Sequence, residues 1–157
     1  MFKNDFLMQR IAELASGVAR TLGLKHAQQQ QQEDGDLDQA SMSQLGLPLS
    51  LLTLLSQRDL RLRCTSGGEV DAFRAATAGA LLSAAAAQYP EQAESLQARS
   101  LDLLLLAMEE NQEMDIAQLR ALAILNLDAL GEDVPQELSL RAQASGLHPS
   151  PDETGRA

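Results

Sequence analysis

Few side chains in this sequence have the type and spacing that catalysis or metal binding requires. The two histidines are His26, beside a run of glutamines, and His148, in a stretch rich in proline and glycine. A catalytic base must be held within about half an ångström of its working position, and segments of this kind do not hold a side chain so firmly. The pair therefore predicts neither a general base nor a metal site.

The single cysteine, Cys64, follows Arg61 and Arg63, whose positive charges could favour a reactive thiolate. No histidine lies close in sequence to activate it, so a small apolar side chain near a helix end is the favoured interpretation. A lone cysteine also cannot form a disulfide within the chain. The sequence therefore carries no sign of an oxidising compartment.

Four carboxylates cluster in a predicted turn between two helices, at Glu109, Glu110, Glu113 and Asp115. Oxygen ligands suit hard cations such as Ca²⁺, but the spacing of a calcium-binding loop is absent. Because acids before a helix also complement its dipole, a charged surface turn is favoured. Phosphate-loop, dinucleotide-binding and zinc-protease motifs do not occur either. We therefore expect no enzymatic activity, no cofactor and no metal.

The composition favours helices over sheets. The 157 residues include 30 Leu and 24 Ala, both strong helix formers, whereas aromatic residues make up only 3%. Valine and isoleucine, the usual material of a large sheet, are scarce. A shaped small-molecule pocket would also lack most of its usual aromatic lining. The sequence predicts an all-α protein.

The charge of the chain is unevenly placed. The net charge is −10 at pH 7, and residues 69–137 alone hold 13 acidic and 3 basic side chains. Because such a surface repels phosphate backbones, we expect no nucleic-acid partner. The longest uncharged stretch, residues 75–90, is shorter than the ~20 residues of a membrane helix, so no membrane association is expected. The first residues lack the apolar region of a signal peptide, and a cytoplasmic location is expected.

An amphipathic helix is predicted within residues 1–27. Its apolar residues recur at spacings of four, three and four, which places them on one helix face: Leu7, Ile11, Leu14 and Val18. Docking against the chain's own body is one interpretation of this stripe. Self-association or the binding of a partner helix is the other, and these four residues are the candidate interface.

The rest of the chain divides into a linker, a helical body and a tail. Residues 28–36 contain five glutamines and three acids without an apolar face, which predicts a flexible linker. Residues 37–144 are predicted to form an array of antiparallel helices. Residues 145–157, rich in glycine and proline, are predicted to form a disordered tail.

Capping residues mark the helices of the body. Asp71, Pro90, Asp115 and Pro135 are predicted to begin helices that end near Gln88, Glu110, Leu130 and Ala144. Before them, one apolar element is predicted from Leu49 to about Arg63. The leucines at 103–106 cover every direction around a helix axis, which indicates burial on most sides.

Small residues predict where helices approach each other closely. The helix that follows Asp71 has a face of alanine, glycine and serine that includes Gly79. Gly17, in the middle of the first helix, would cost up to ~1 kcal/mol relative to alanine. We expect close helix approach at the face that includes Gly79, and Gly17 would be tolerated where another helix approaches closely.

The opening stretch, Lys3-Asn4-Asp5-Phe6-Leu7-Met8-Gln9-Arg10-Ile11-Ala12-Glu13-Leu14, resembles the start of a family of uncharacterised small bacterial all-helical proteins with tetratricopeptide-like hairpins. Residues 45–71, with Gly67-Gly68-Glu69-Val70-Asp71, resemble the middle of that family. The resemblance implies an all-helical fold with a tetratricopeptide-like right-handed array, and it implies no activity. The alternation of small-faced and leucine-rich helices also fits stacked hairpins, although the spacing from Asp71 to Asp115 exceeds the 34-residue period.

These patterns favour a non-enzymatic interaction or scaffold protein that binds a partner helix or a second copy of itself. The alternative is a small-molecule or lipid binder that holds its ligand in a leucine-lined cavity between helices. A tightly filled core would argue against the alternative.

Overall fold

The computed structural model describes residues 9, 11, 13–15, 17–18, 41–42, 45–110 and 117–147. In this part of the chain helices predominate, joined by short turns and one two-stranded hairpin, which confirms the all-α prediction. The described residues between 9 and 18 are helical, as are residues 41, 42 and 45. The linker predicted at residues 28–36 lies outside the described residues.

The leucine-rich element after Pro48 is two helices, so the prediction of one continuous element was wrong. The first, α1, covers Leu49–Leu52, and the second, α2, covers Gln57–Arg63. Ser56 separates them because its backbone is extended and its hydroxyl accepts a hydrogen bond from the backbone N–H of Asp59 at 3.1 Å. A serine at this position is a favoured start for a new helix.

A short antiparallel hairpin follows, formed by β1 (Thr65–Ser66) and β2 (Glu69–Val70). Thr65 pairs with Val70 and Ser66 with Glu69. Both turn residues, Gly67 and Gly68, have positive φ angles of 62° and 86°. Turns that require positive φ at both central residues favour glycine, so the predicted chain break is a tight hairpin turn.

The two longest helices of the described chain form an antiparallel pair. Helix α3 covers Ala72–Gln88, and helix α4 covers Ala93–Glu110 after a 3₁₀ turn at Pro90–Gln92. The carboxylate of Asp71 caps α3 by accepting the backbone N–H groups of Phe73 and Arg74, at 3.0 and 3.3 Å. The predicted cap at Asp71 is therefore confirmed, whereas Pro90 begins the 3₁₀ turn that precedes α4.

Close approach of α3 and α4 occurs at Gly79. A Cβ atom added there would lie 2.9 Å from the side chain of Leu104 and 3.2 Å from the carbonyl oxygen of Ser100. The small-residue face of α3 is thus confirmed as a helix-packing surface. Among the described residues, no atom lies within 4 Å of a Cβ added to Gly17, so a close helix approach at Gly17 stays a prediction.

Helix α5 covers Ala117–Leu130, and α6 covers Gln136–Ala144 after a 3₁₀ turn at Gly131–Asp133. All four leucines at 103–106 are buried, as predicted. The largest fully buried side chains come from every part of the described chain: Ile11, Leu52, Leu60, Leu81, Leu82, Leu96, Leu101, Leu103, Leu104, Leu105, Leu122 and Leu147.

The packed body extends beyond the predicted start of the tail at Ser145. The N–H of Leu147 donates to the carbonyl oxygen of Ala142 at 2.8 Å, and the N–H of Gly146 donates to that of Gln143 at 3.0 Å. These two hydrogen bonds form a Schellman motif, in which an apolar residue after the glycine packs back on the helix. Leu147 is accordingly 1% exposed. The tail prediction was wrong for residues 145–147, and residues 148–157 lie outside the described chain.

Candidate functional site

The residues predicted as an interface lie largely in the chain's own core. Ile11 is 0% exposed and Val18 is 3% exposed, while Leu14 is half-buried against the core; Leu7 lies outside the described residues. In this arrangement the three described residues of the stripe pack on the body. Its part in self-association stays a prediction.

Exposed leucines occur instead near α1, where Leu51 is 49% and Leu54 is 71% exposed. They are three residues apart, and their neighbour Leu52 is fully buried. We call Leu51 and Leu54 the leucine pair. Other large apolar side chains exposed on the described chain are Met42, Leu62, Tyr89 and Leu140.

Helix α4 fixes the backbone that carries the leucine pair. The Nη1 atom of Arg99 donates to the carbonyl oxygen of Thr53 at 3.1 Å and also to that of Leu55. Its Nη2 atom donates to the hydroxyl of Ser95 at 3.1 Å. Arg99 thus binds the carbonyl groups of both neighbours of Leu54. The turn that carries the exposed side chain of Leu54 is therefore fixed to α4.

Two exposed carboxylates, Glu91 and Glu94, precede Ser95 at the start of α4. We call them the acidic pair. Since the guanidinium of Arg99 lies against Ser95, the turn that carries Leu54 lies beside the first turns of α4. One helical turn advances only about 5.4 Å, so the acidic pair lies within about one turn of Ser95 along the chain.

The one charged side chain among the fully buried polar residues of the described chain is Asp102 of α4, which is 0% exposed. Arg61 of α2 donates two hydrogen bonds to it, from Nε to Oδ2 at 3.0 Å and from Nη2 to Oδ1 at 2.6 Å. Arg141 of α6 donates from Nη1 to Oδ1 at 2.6 Å. Arg141 also donates to both carboxylate oxygens of Glu109, at 3.1 and 3.0 Å. Asp102 therefore joins three helices.

Burial alone would raise the pKa of Asp102, but the hydrogen bonds from Arg61 and Arg141 outweigh it and hold this pKa below its usual value. The hydrogen bond to Asp102 raises the pKa of Arg61. The carboxylate therefore stays ionised at neutral pH and cannot act as a proton donor there. The arrangement has the chemistry of a structural clamp between helices.

A second polar group crosses the core between α3, α4 and α5. The side-chain amide of Asn126 donates to Ser83 Oγ at 2.9 Å and to the carbonyl oxygen of Leu122 at 3.0 Å. Ser83 and Ser100 hydroxyls lie 2.6 Å apart, and Ser100 donates to the carbonyl oxygen of Gly79 at 2.6 Å. Because Ser100 has only one proton, Ser83 must be the donor between the two hydroxyls. Within this group of linked side chains Asn126 Oδ1 has no partner, and elsewhere in the described residues the buried Thr77 Oγ1 also lacks one.

Of the other residues that the sequence suggested for chemistry, the structure describes Cys64, Glu109 and Glu110. Burial raises the pKa of the Cys64 thiol to about 12, and this residue is 0% exposed, so the thiol is protonated at neutral pH. Glu109 is bound by Arg141, while Glu113, Asp115, His26 and His148 lie outside the described residues. Within the described ranges, no group of three or more His, Cys, Asp or Glu side chains could hold a metal ion.

Sequence reasoning placed all the leucines of residues 49–63 in one apolar element and therefore missed the leucine pair. The signal was present in Ser56, which begins a new helix and prevents a single continuous apolar face. Asp102 lies among leucines in the sequence, and nothing near it in the chain indicates its partners Arg61 and Arg141.

No protein-family model, curated protein or solved structure matches this chain. Across the described helices, none combines the length and the apolar character needed to cross a membrane.

Proposed function

We propose that this chain is a non-enzymatic helical interaction module that binds a partner helix through the leucine pair, Leu51 and Leu54. The observation that carries the proposal is the exposure of both leucines on a turn that Arg99 holds in place. Exposed apolar side chains on a rigid backbone suit helix-in-groove or helix-on-helix recognition. No activity is proposed, because the buried groups Asp102, Ser83, Ser100 and Asn126 serve as links between helices.

A tetratricopeptide-like array is the architecture we propose for the body. In support of it, α3 and α4 form an antiparallel hairpin, with Gly79 against Leu104 and Ser83 against Ser100. Helix α5 adds to the same hairpin through Asn126. Stacked hairpins of this kind bury one another's faces and form an extended concave surface for binding.

Self-association through the N-terminal helix is the second form of this proposal. Ile11 and Val18 pack into the core of the body, so the body can accept an apolar helix. In a dimer, the N-terminal helix of each copy would then pack on the body of the other copy. Light scattering on a Leu14→Lys variant tests this form, because a charge on the half-buried edge of the stripe should abolish dimers; unchanged dimers would remove the stripe as their interface.

A leucine-lined cavity for a lipid or small molecule receives no support from a specific contact. The leucines at 103–106, which suggested it, are buried, and Leu104 presses on Gly79. A cytoplasmic location and the lack of a nucleic-acid partner stay predictions from the sequence.

The leucine pair is tested by exchanging its side chains for serine in a Leu51→Ser/Leu54→Ser variant. Leu140→Ser is the matched control, since Leu140 is 57% exposed on α6. Purified wild type and both variants are used to capture proteins from the native cell, and each protein identified by mass spectrometry is then titrated against the purified chain. We expect a partner that binds wild type and Leu140→Ser but not the double variant. Equal binding to all three chains would refute the proposed surface.

A further inference from the structure

We propose that residues 136–147, which we call the α6 segment, detach from the body as one unit while the other helices stay folded, and that Arg141 controls this opening. The proposal goes beyond the leucine pair and does not depend on it. It is carried by the kind and the number of contacts that hold the α6 segment in place.

Few apolar side chains hold the α6 segment. Among the nine residues of α6, Leu138 and Ala142 are buried, and Leu147 is buried in the turn that follows. Helix α3, by contrast, buries thirteen of its seventeen residues. Because the free energy of burial grows with the apolar area removed from water, detaching the α6 segment should cost far less than unfolding α3.

Arginine side chains supply hydrogen bonds at two points of the segment. In the middle of α6, Arg141 Nη1 donates to Asp102 Oδ1 at 2.6 Å. At its end, Arg120 of α5 donates to the carbonyl oxygens of Ser145 and Gly146, at 3.0 and 3.2 Å. These polar contacts can break without the apolar packing of α3 against α4 being disturbed.

Detachment of Arg141 leaves no buried charge without a partner. Asp102 keeps the two hydrogen bonds that Arg61 donates to it, at 3.0 and 2.6 Å. The other partner of Arg141, Glu109, is 37% exposed and can be hydrated. The large cost of an unpaired buried charge is therefore avoided when the α6 segment opens.

The connection between α5 and α6 can act as a hinge. Residues 131–133 form a 3₁₀ turn without a buried side chain, and Gly131 in this turn has a φ angle of 57°. Pro135 precedes α6 and gives it no side-chain capping hydrogen bond. Exposed turn residues of this kind can absorb the change in backbone angles that a detaching helix requires.

Opening would uncover a closed stripe of α4. Arg141 binds both Asp102 and Glu109, which are seven residues, or about two helical turns, apart on α4. Leu105 and Leu106 lie between them on the same helix face, and they are 0% and 7% exposed. The α6 segment thus controls access to an apolar stripe that is buried in the closed body.

The test is native-state hydrogen exchange on the full chain, measured by mass spectrometry at increasing urea concentrations. We expect the hydrogen-bonded amides of α6 to be at least about a hundredfold less protected than amides at the centre of α3. Their exchange should also depend less steeply on urea, because local opening exposes less surface than global unfolding.

Variants of the α3–α4 pair separate local opening from global unfolding. Gly79→Val strains the contact with Leu104, which stays formed when the α6 segment alone detaches. Protection of α3 should therefore fall by at least about fivefold, and protection of α6 by less than about twofold. Ser100→Ala, which removes the hydrogen bond to the carbonyl oxygen of Gly79, should give the same pattern and is the second variant if Gly79→Val does not fold.

The part played by Arg141 is tested with Arg141→Gln, which should lower the protection of α6 by about tenfold. Arg74→Gln is the matched control, because it makes the same change in net charge at an ion pair of 3.8 Å with Asp71 on the surface. It should change the protection of α6 by less than about twofold. Circular dichroism on each variant checks that the helices are retained.

Equal protection of α6 and α3 in wild type would overturn the proposal, because α6 would then open only when the whole body unfolds. Equal losses in both helices on Gly79→Val or Ser100→Ala substitution would overturn it for the same reason. If Arg141→Gln changes the protection of α6 no more than Arg74→Gln does, Arg141 is refuted as the residue that controls the opening.

Discussion

Replacing Asp102 with asparagine should be among the most destabilising single changes outside the apolar core. The substitution keeps the shape of the side chain but removes the charge that Arg61 and Arg141 share. Leaving buried charges without their partner typically costs 3–5 kcal/mol. The side chain of Arg61 is 40% exposed and can turn towards water, and Arg141 keeps Glu109, so we expect about 3 kcal/mol.

The loss should be measured as the free energy of unfolding in urea at pH 7, followed by circular dichroism. For a chain of this length, about 3 kcal/mol corresponds to a fall in melting temperature of about 6–12 °C. Glu109→Gln is the matched control, because its carboxylate is 37% exposed and its ion pair should contribute about 1 kcal/mol or less.

The same variant should show a defined pH dependence. Because the folded-state pKa of Asp102 lies below its unfolded value of about 3.9, its stabilising effect is fully present above that value. The effect is lost as the pH falls through the folded-state pKa. The difference between wild type and Asp102→Asn should therefore be constant from about pH 5 to pH 8 and shrink below about pH 4. A loss under about 1 kcal/mol at pH 7, or a difference that grows on acidification, would refute the clamp.

Three further changes test the packing and the polar core. Gly79→Val should destabilise the fold by about 1–3 kcal/mol because the valine side chain meets Leu104. Gly17→Ala should stabilise it by up to about 1 kcal/mol. Equal effects of the two substitutions in thermal unfolding would contradict the close approach of α3 and α4 at Gly79. Cys64 should react with a thiol reagent only on unfolding, since burial raises its pKa to about 12; rapid labelling of the native chain would contradict this. Ser100→Ala should cost about 1–3 kcal/mol in urea because two buried hydrogen bonds are lost, and a neutral result would show that these two bonds do not stabilise the fold.

Local signals allowed much of the fold to be predicted from the sequence. Asp71 caps α3 through its own carboxylate, and Gly67-Gly68 forms the tight hairpin turn; both effects involve residues only a few positions apart. The Schellman motif at Gly146 and Leu147 had the same local character, and the tail prediction overlooked it because later prolines dominate that stretch.

The candidate site could be predicted far less well, because exposure is a property of the packed body. Leu52 and Leu54 have the same side chain two positions apart, yet Leu52 is fully buried and Leu54 is 71% exposed. The turn that carries Leu54 is also fixed by Arg99, which lies more than forty residues later and binds the carbonyl groups on either side of Leu54. The same limit applies to the apolar stripe of the first helix, which packs on the body in this structure.

The sequence by itself determined the helical class, most helix boundaries and the acidic charge of the body, because propensity, capping and net charge depend on residue type and short-range spacing. Only the tertiary structure decided which leucines remain exposed, which arginines are directed inward, and that a single aspartate joins α2, α4 and α6. Those outcomes depend on contacts between residues some forty positions apart, and such contacts exist only after the helices have packed together.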